Sequence, residues 1–206
     1  MTTQTRNAST ERLSGRRKID IDFLFLDLKT CTRCVGTAQN LEKALTAVEQ
    51  VLHFSGVEVN LNKVLIDSPE KAASHGFVTS PTIRVNGCDI ALETRESKCD
   101  SCTDLCGCEE GTNCRVWLYH GQEYTEAPVA MIVEAILQEV FQAPQPATQT
   151  ASAYEDVPEN LKRFFAGAVQ DTSSCCSPAK QQTCCEPAEK ASCCGNAHVQ
   201  QSCGCQ

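Results

Sequence analysis

The sequence predicts an α/β domain that ends in a cysteine-rich tail. Three observations predict it. Short runs of apolar residues alternating with period two take turns along the chain with longer runs recurring every three or four residues. The 206-residue chain is 41% apolar, enough to fill the core of one domain of roughly 100–150 residues. Its 16 cysteines divide evenly, eight in Cys31–Cys114 and eight in Cys175–Cys205, on either side of a stretch rich in Pro, Ala, Gln, Ser and Thr that reads as a linker. These features predict a disordered arm at 1–17 and a folded domain at 18–142 with a cysteine-rich insertion at 93–114. A linker at 143–157, a short helix at 158–168 and a flexible tail at 169–206 follow.

Lys18–Leu28 alternates Ile19, Ile21, Phe23 and Phe25 with Asp20, Asp22 and Leu24, the pattern of a strand with one face buried. After Cys31 and Cys34, apolar residues recur at Val35, Ala38, Leu41, Leu45, Val48 and Leu52, a helix packing one stripe on a sheet. Gly56 ends the turn, and Val57–Ile66 is a second strand. Ser68 caps a short helix with Pro69 at its first position, ending near Gly76. Thr82–Val85 and Asp89–Leu92 form a hairpin around Asn86-Gly87, whose two residues tolerate positive φ. Past the insertion, Val116–Tyr119 and Gln122–Tyr124 flank His120-Gly121 as another hairpin. Pro128 opens a last helix with Val129, Ile132, Val133, Ile136, Leu137 and Val140 inward.

Composition excludes some functions. With 18 basic and 26 acidic residues the net charge is −8, and there is one Trp, so the chain is a poor nucleic-acid ligand. No run approaches the ~18 apolar residues of a membrane span. No signal-peptide core follows the basic residues Arg12, Arg16, Arg17 and Lys18, which predicts a cytoplasmic protein. Thiols there are kept reduced, so cysteines serve as metal ligands or redox groups rather than staples.

Cys31-Thr32-Arg33-Cys34 lies between a strand and a helix. That places Cys31 at a helix N-terminus, where unpaired amides, the helix dipole and Arg33 all favour the thiolate. Cys31 would attack a disulfide and Cys34 would resolve the mixed disulfide. With Thr79-Ser80-Pro81-Thr82-Ile83 and Asn86-Gly87, the motif resembles the thioredoxin-like fold over residues 18–142. The resemblance implies a three-layer α/β/α fold, with the cysteine-rich insertion before the last helix. It also implies a cis Pro81 facing the cysteine pair and touching a bound thiol substrate. Thr32-Arg33 replaces the Gly-Pro of thioredoxin itself. More narrowly, the chain resembles a bacterial and archaeal thioredoxin-like domain family of unknown function. Members combine such a pair, a Ser-Pro-Thr-Ile stretch and a cysteine-rich insertion before an Arg-Val-Trp strand, here Arg115-Val116-Trp117.

In the insertion the spacing is Cys99-x2-Cys102-x3-Cys106-x-Cys108-x5-Cys114, and four such thiolates can close a tetrahedral zinc site. A structural metal, a disulfide relay and a soft-ion transfer site are all open readings. The family resemblance implies Cys99, Cys102, Cys106 and Cys114 as ligands, with Cys108 spare. Cys88, alone beside the hairpin tip, reads as a packing residue.

Near the end, Leu161, Phe164 and Phe165 lie on one side of a short helix that must dock onto this domain or a partner, being too short to stand alone. Then Cys175-Cys176, Cys184-Cys185 and Cys193-Cys194 recur every nine residues, and Cys203 and Cys205 close the chain. No apolar periodicity joins them, so ligation is their purpose: adjacent thiols converge on Cu(I), Zn, Hg(II) or trivalent arsenic. His198 can supplement them. The tail resembles those of arsenic metallochaperones, and Asn160–Phe165 resembles ends of other bacterial arsenic-resistance proteins. Cys203-Gly204-Cys205-Gln206 also fits a prenylation box formally, though Gly and Cys are poor middle residues.

The sequence therefore predicts a thiol–disulfide redox and soft metal- or metalloid-binding protein of arsenic or mercury resistance. Zinc is expected at the insertion, a soft ion at the tail, and a thiol or disulfide protein or the ion itself as partner. A general thiol–disulfide oxidoreductase with a structural metal, and a non-enzymatic metallochaperone, are the alternatives.

Overall fold

A computed structural model describes residues 17–91, 93–108, 111–141 and 156–171. Those residues form a mixed α/β structure of seven strands in two sheets and five helices. The larger sheet has the order β2-β1-β3-β4, from β1 (Arg17–Phe25), β2 (Val57–Leu65), β3 (Thr82–Val85) and β4 (Cys88–Asp89). The smaller has the order β5-β6-β7, from β5 (Arg95–Lys98), β6 (Asn113–Tyr119) and β7 (Gln122–Tyr124). The helices are α1 (Thr32–Phe54), α2 (Pro69–Ser74), α3 (Asp100–Cys106), α4 (Val129–Phe141) and α5 (Glu159–Asp171). None of the described helices is long and apolar enough to cross a membrane.

β1 is the spine. It runs parallel to β2 and antiparallel to β3. Ile19, Ile21, Phe23, Leu24 and Phe25 are buried along it, each contributing about 1.5–3 kcal/mol by leaving water. Its alternate residues Asp20 and Asp22 are not wasted. Each faces an asparagine in register on β2, and Asn60 and Asn62 donate to their carboxylates at 2.8 and 2.9 Å. α1 buries Cys34, Thr37, Ala38, Leu41, Ala44, Val48 and Leu52 and packs on α4. The buried stripe is turned slightly from the expected one, leaving Val35 and Leu45 half-buried, because Cys34 and Thr37 face inward. The hairpin forms as the Asn-Gly pair requires, with φ of 48° at Asn86 and 81° at Gly87. Its returning strand is shorter than expected, since β4 stops at Asp89.

The insertion has more regular structure than its cysteine density suggested. β5 leaves the hairpin and pairs with β6, and α3 lies between them. An ion pair between a buried guanidinium and a half-buried carboxylate ties this unit to the larger sheet. Arg115 on β6 is fully buried and reaches both carboxylate oxygens of Asp89 on β4, at 3.1 and 2.6 Å. It also donates to Thr82 and lies over the Trp117 ring.

The expected docking helix sits on this domain. α5 packs on α2 and α3, with Leu161, Phe164 and Phe165 buried in the common core. Asn160 donates to Glu96 at 2.6 Å, and Gly167 lies against the Cys106 carbonyl oxygen and the Cys108 sulfur. A β-carbon at 167 would collide with that carbonyl, so Gly167→Ala should unseat α5. We expect a loss of about 1–3 kcal/mol in urea unfolding and faster proteolysis within 156–171; unchanged values on both would refute this packing.

Candidate metal and redox centre

The site begins where β1 ends. Asp27, in the turn, accepts hydrogen bonds from the amides of Lys29, Thr30 and Cys31, which shapes the chain to enter α1. Cys31 is thereby the N-cap residue of α1, with Cys34 one turn in. Opposite, Cys99 is the N-cap residue of α3 and Cys102 lies one turn in. The two Cys-x-x-Cys pairs meet, their flanking hydroxyls touching as Thr32 Oγ1 and Ser101 Oγ at 3.3 Å. Cys114 enters from β6, its sulfur 3.3 Å from that of Cys102.

The outcome is a buried set of four sulfurs. Cys31, Cys99, Cys102 and Cys114 have all their sulfurs within 4.8 Å of one another. Four thiolates on one zinc at about 2.3 Å stand about 3.8 Å apart, so the set fits a tetrahedral thiophilic ion with little rearrangement. Every one of the four is almost wholly buried, with Cys31 at 0% exposure.

Cys106, which the resemblance implied as a ligand, lies outside this set. It is disulfide-bonded to Cys108 and faces Thr112. Cys108 lies 3.4 Å from the Arg163 carbonyl oxygen, under α5. Cys106 projects from the last turn of α3, a full turn beyond Cys102. The fourth sulfur comes instead from Cys31, 68 positions before Cys99 in sequence. One signal could have found it: Cys99 and Cys102 repeat the spacing of Cys31 and Cys34, each pair at a helix start.

Arg33 has a different position from the one expected. Its guanidinium binds the insertion, donating to the carbonyls of Lys98 at 2.7 Å and Cys114 at 3.2 Å and to the Ser97 hydroxyl at 3.0 Å. It clamps the strands that carry Cys99 and Cys114 against α1. The Cys31 thiol is instead drawn far below its ordinary range by hydrogen bonds from Cys102, Cys114, Cys34 and Cys99, which outweigh burial. The same hydrogen bonds hold its partners' protons. Cys34 is pushed up by its bond to Cys31 and by burial. Cys114 is pushed up by Cys102, Cys31 and Cys99. At Cys102 the Cys114 thiol pulls down, but Cys31, Cys99 and burial prevail and raise it. Cys99 is drawn down to about 7, chiefly by Cys102 and Cys114. Without an ion, one thiolate is thus solvated by its neighbours' thiols in place of water.

The Ser80–Pro81 bond is cis, as the resemblance implied, and it joins the parts of the centre. Ser80 Oγ lies 3.4 Å from the Cys34 sulfur and accepts from the Leu26 amide. Its carbonyl accepts from the Arg115 amide at 2.7 Å. Cys88 is half-buried on β4, outside the four-sulfur set. The tail candidates Cys175, Cys176, Cys184, Cys185, Cys193, Cys194, Cys203 and Cys205, with His198, lie outside the described residues.

Residues 19–136, more than half of the chain, match the family described as Domain of unknown function (DUF2703), and the chain belongs to that family. No curated protein and no solved structure matches it.

The shared protons give the ion-free protein a particular pH response. Cys31 ionises below the ordinary thiol value of 9.0 when folded, so its stabilising effect is complete above pH 9 and is lost as the pH falls. Cys34, Cys102 and Cys114 ionise above that value, so theirs is complete below pH 9 and is lost as the pH rises. In urea unfolding of the reduced protein with a chelator, stability should therefore decline on the alkaline side of 9.0, and Cys34→Ser should lessen that decline. An alkaline limb identical in both chains would contradict the shared-proton arrangement.

Proposed function

We propose that this protein binds a soft metal or metalloid ion at Cys31, Cys99, Cys102 and Cys114, and carries out thiol–disulfide chemistry through Cys31 and Cys34. The observation that carries the reading is the buried convergence of four sulfurs from two distant parts of the chain. A neutral thiol packs as a small apolar group, but a buried thiolate is unfavourable without a partner, and a thiophilic cation compensates several of them best. Zinc or cadmium suits the four-sulfur geometry, and binding would release the protons the thiols now hold.

The paired cysteines at 175–205 extend this reading to arsenic or mercury resistance. They are a second, denser store of thiols, joined to the domain just after α5. In this scheme the tail captures ions from solution in the cytoplasm and the buried centre retains them. Cys106 and Cys108 are then a separate redox pair, not ligands.

A general thiol–disulfide oxidoreductase of thioredoxin-like architecture is the second reading. The cis Ser80–Pro81 bond beside Cys34 favours it, as does the sheet order with β1 between a parallel and an antiparallel neighbour. In either reading the buried Cys31 thiolate reaches a disulfide only when its cover moves, and the second reading leaves the four-sulfur set without a role.

The test is elemental analysis with a free-thiol count on anaerobically purified full-length protein whose tail cysteines are all Ser. One tightly held thiophilic ion per chain should remain. Loss of an outer partner costs a metal site roughly 10–100-fold in affinity, so loss of a ligand through Cys31→Ser or Cys114→Ser should cost at least about 100-fold. Cys106→Ser should change affinity little. A chain that holds no ion, or that loses it with Cys106 and keeps it without Cys31, would overturn the assignment. In cells, the native tail should raise tolerance to arsenite or mercury over the Ser-tailed chain.

A further inference from the structure

Cys31 belongs to two sulfur groups at once. Toward the insertion it is one of the four clustered sulfurs. Toward its own helix it is the N-cap residue of α1, and Cys34 follows one turn along in the Cys-x-x-Cys spacing that suits a disulfide. Cys34 lies outside the four-sulfur set, so Cys31 alone connects the two groups. We propose that ion binding by Cys31, Cys99, Cys102 and Cys114 and disulfide formation between Cys31 and Cys34 exclude one another, so that a disulfide oxidant makes the centre give up its ion. This inference rests on the ion-binding reading above and adds its regulation.

The chemistry is ordinary exchange with a small-molecule disulfide, RSSR. The Cys31 thiolate attacks one sulfur of RSSR, forming a Cys31–SR mixed disulfide and expelling RS⁻. Cys34 gives its proton to that RS⁻ and attacks the Cys31 sulfur, closing Cys31–Cys34 and expelling the second RS⁻. Two cysteines are oxidised and one disulfide is reduced to RSH and RS⁻. The Cys31 sulfur no longer has a charge to donate, and three ligand sulfurs remain where four were.

The cover over Cys31 makes the exclusion work in both directions. Cys31 has 0% exposure, although the next residue, Thr32, is exposed. What lies over it is the insertion, held by the Thr32–Ser101 contact and by the Arg33 clamp. An ion bound to Cys31 and to three insertion cysteines cross-links cover to base and denies a disulfide its entry. Lifting the insertion admits the disulfide and parts Cys31 from the other ligands in the same motion. By linkage, whatever factor the ion imposes on oxidation, oxidation imposes on ion affinity.

The experiment uses the full-length chain with its eight tail cysteines replaced by Ser, equilibrated in glutathione buffers of graded ratio. Zn²⁺ is the probe, read by competition with a chromophoric chelator, and the disulfides are mapped by mass spectrometry after thiol trapping. Closing Cys31–Cys34 should weaken Zn²⁺ binding by at least about 100-fold. Saturating Zn²⁺ should then move the midpoint for that disulfide by about 59 mV toward more oxidising buffers, at 29.6 mV per tenfold. In Cys34→Ser, which has no resolving thiol, any loss of Zn²⁺ affinity at the oxidising end should go with a Cys31–glutathione mixed disulfide and with no intramolecular disulfide at Cys31. If that variant loses affinity with Cys31 unmodified, or if Cys106→Ser abolishes the loss otherwise seen, control belongs to Cys106–Cys108 and the proposal fails. Equal Zn²⁺ affinity with Cys31–Cys34 closed also overturns it, while leaving the ion site intact. A reduced chain that binds no Zn²⁺ overturns the ion-binding reading itself.

Discussion

A buried thiolate is costly unless something nearby compensates its charge, and this chain brings four cysteine sulfurs to one dry point. Two ways of meeting that cost are compatible with the arrangement. Neighbouring thiols can donate their protons to one anion, or a thiophilic cation can replace the protons. The first describes the centre as the side chains stand, with Cys31 as the acceptor. The second follows from the same distances. A site that can exchange protons for an ion without rebuilding its walls is prepared for binding.

The surrounding structure serves to hold two independent segments in register. Asp27 fixes the turn that presents Cys31, and Arg33 from the next turn grips the carbonyls of the opposing strands. Ser80 touches Cys34 by its hydroxyl and β6 by its carbonyl. Arg115, buried against Asp89, keeps β6 from sliding over the larger sheet. Removing Asp89 would leave the buried Arg115 guanidinium without its counter-charge, a loss that typically costs about 3–5 kcal/mol. These contacts let a seven-residue helix with little core of its own place two cysteines accurately.

Much of the scaffold was legible from periodicity and turn chemistry. The alternation in β1, the long stripe of α1, Ser68-Pro69 and Asn86-Gly87 all act locally, and local signals survive in a single sequence. β5 and α3 were not legible. Arg95–Lys98 is exposed and carries no apolar alternation, and its pairing depends on β6, far ahead in the chain. The four clustered sulfurs were not legible as a set for a related reason. Spacing within 99–114 speaks of loops that close on themselves, whereas the fourth sulfur arrives from α1 through the tertiary fold. Arg33 was read by its charge alone, and its carbonyl partners exist only once the insertion folds over it.

β2 illustrates a different economy. It is a nine-residue strand at the outer border of the larger sheet, long enough to invite a neighbour's backbone. Glu58, Asn60, Asn62 and Lys63 are exposed along it, and Lys63 is paired with Glu42 on α1. Polar and charged groups on a border strand discourage stranger chains from annealing to it. For a molecule carrying 16 cysteines, that matters: chance encounters that never become lasting aggregates also give intermolecular cross-links less time to form.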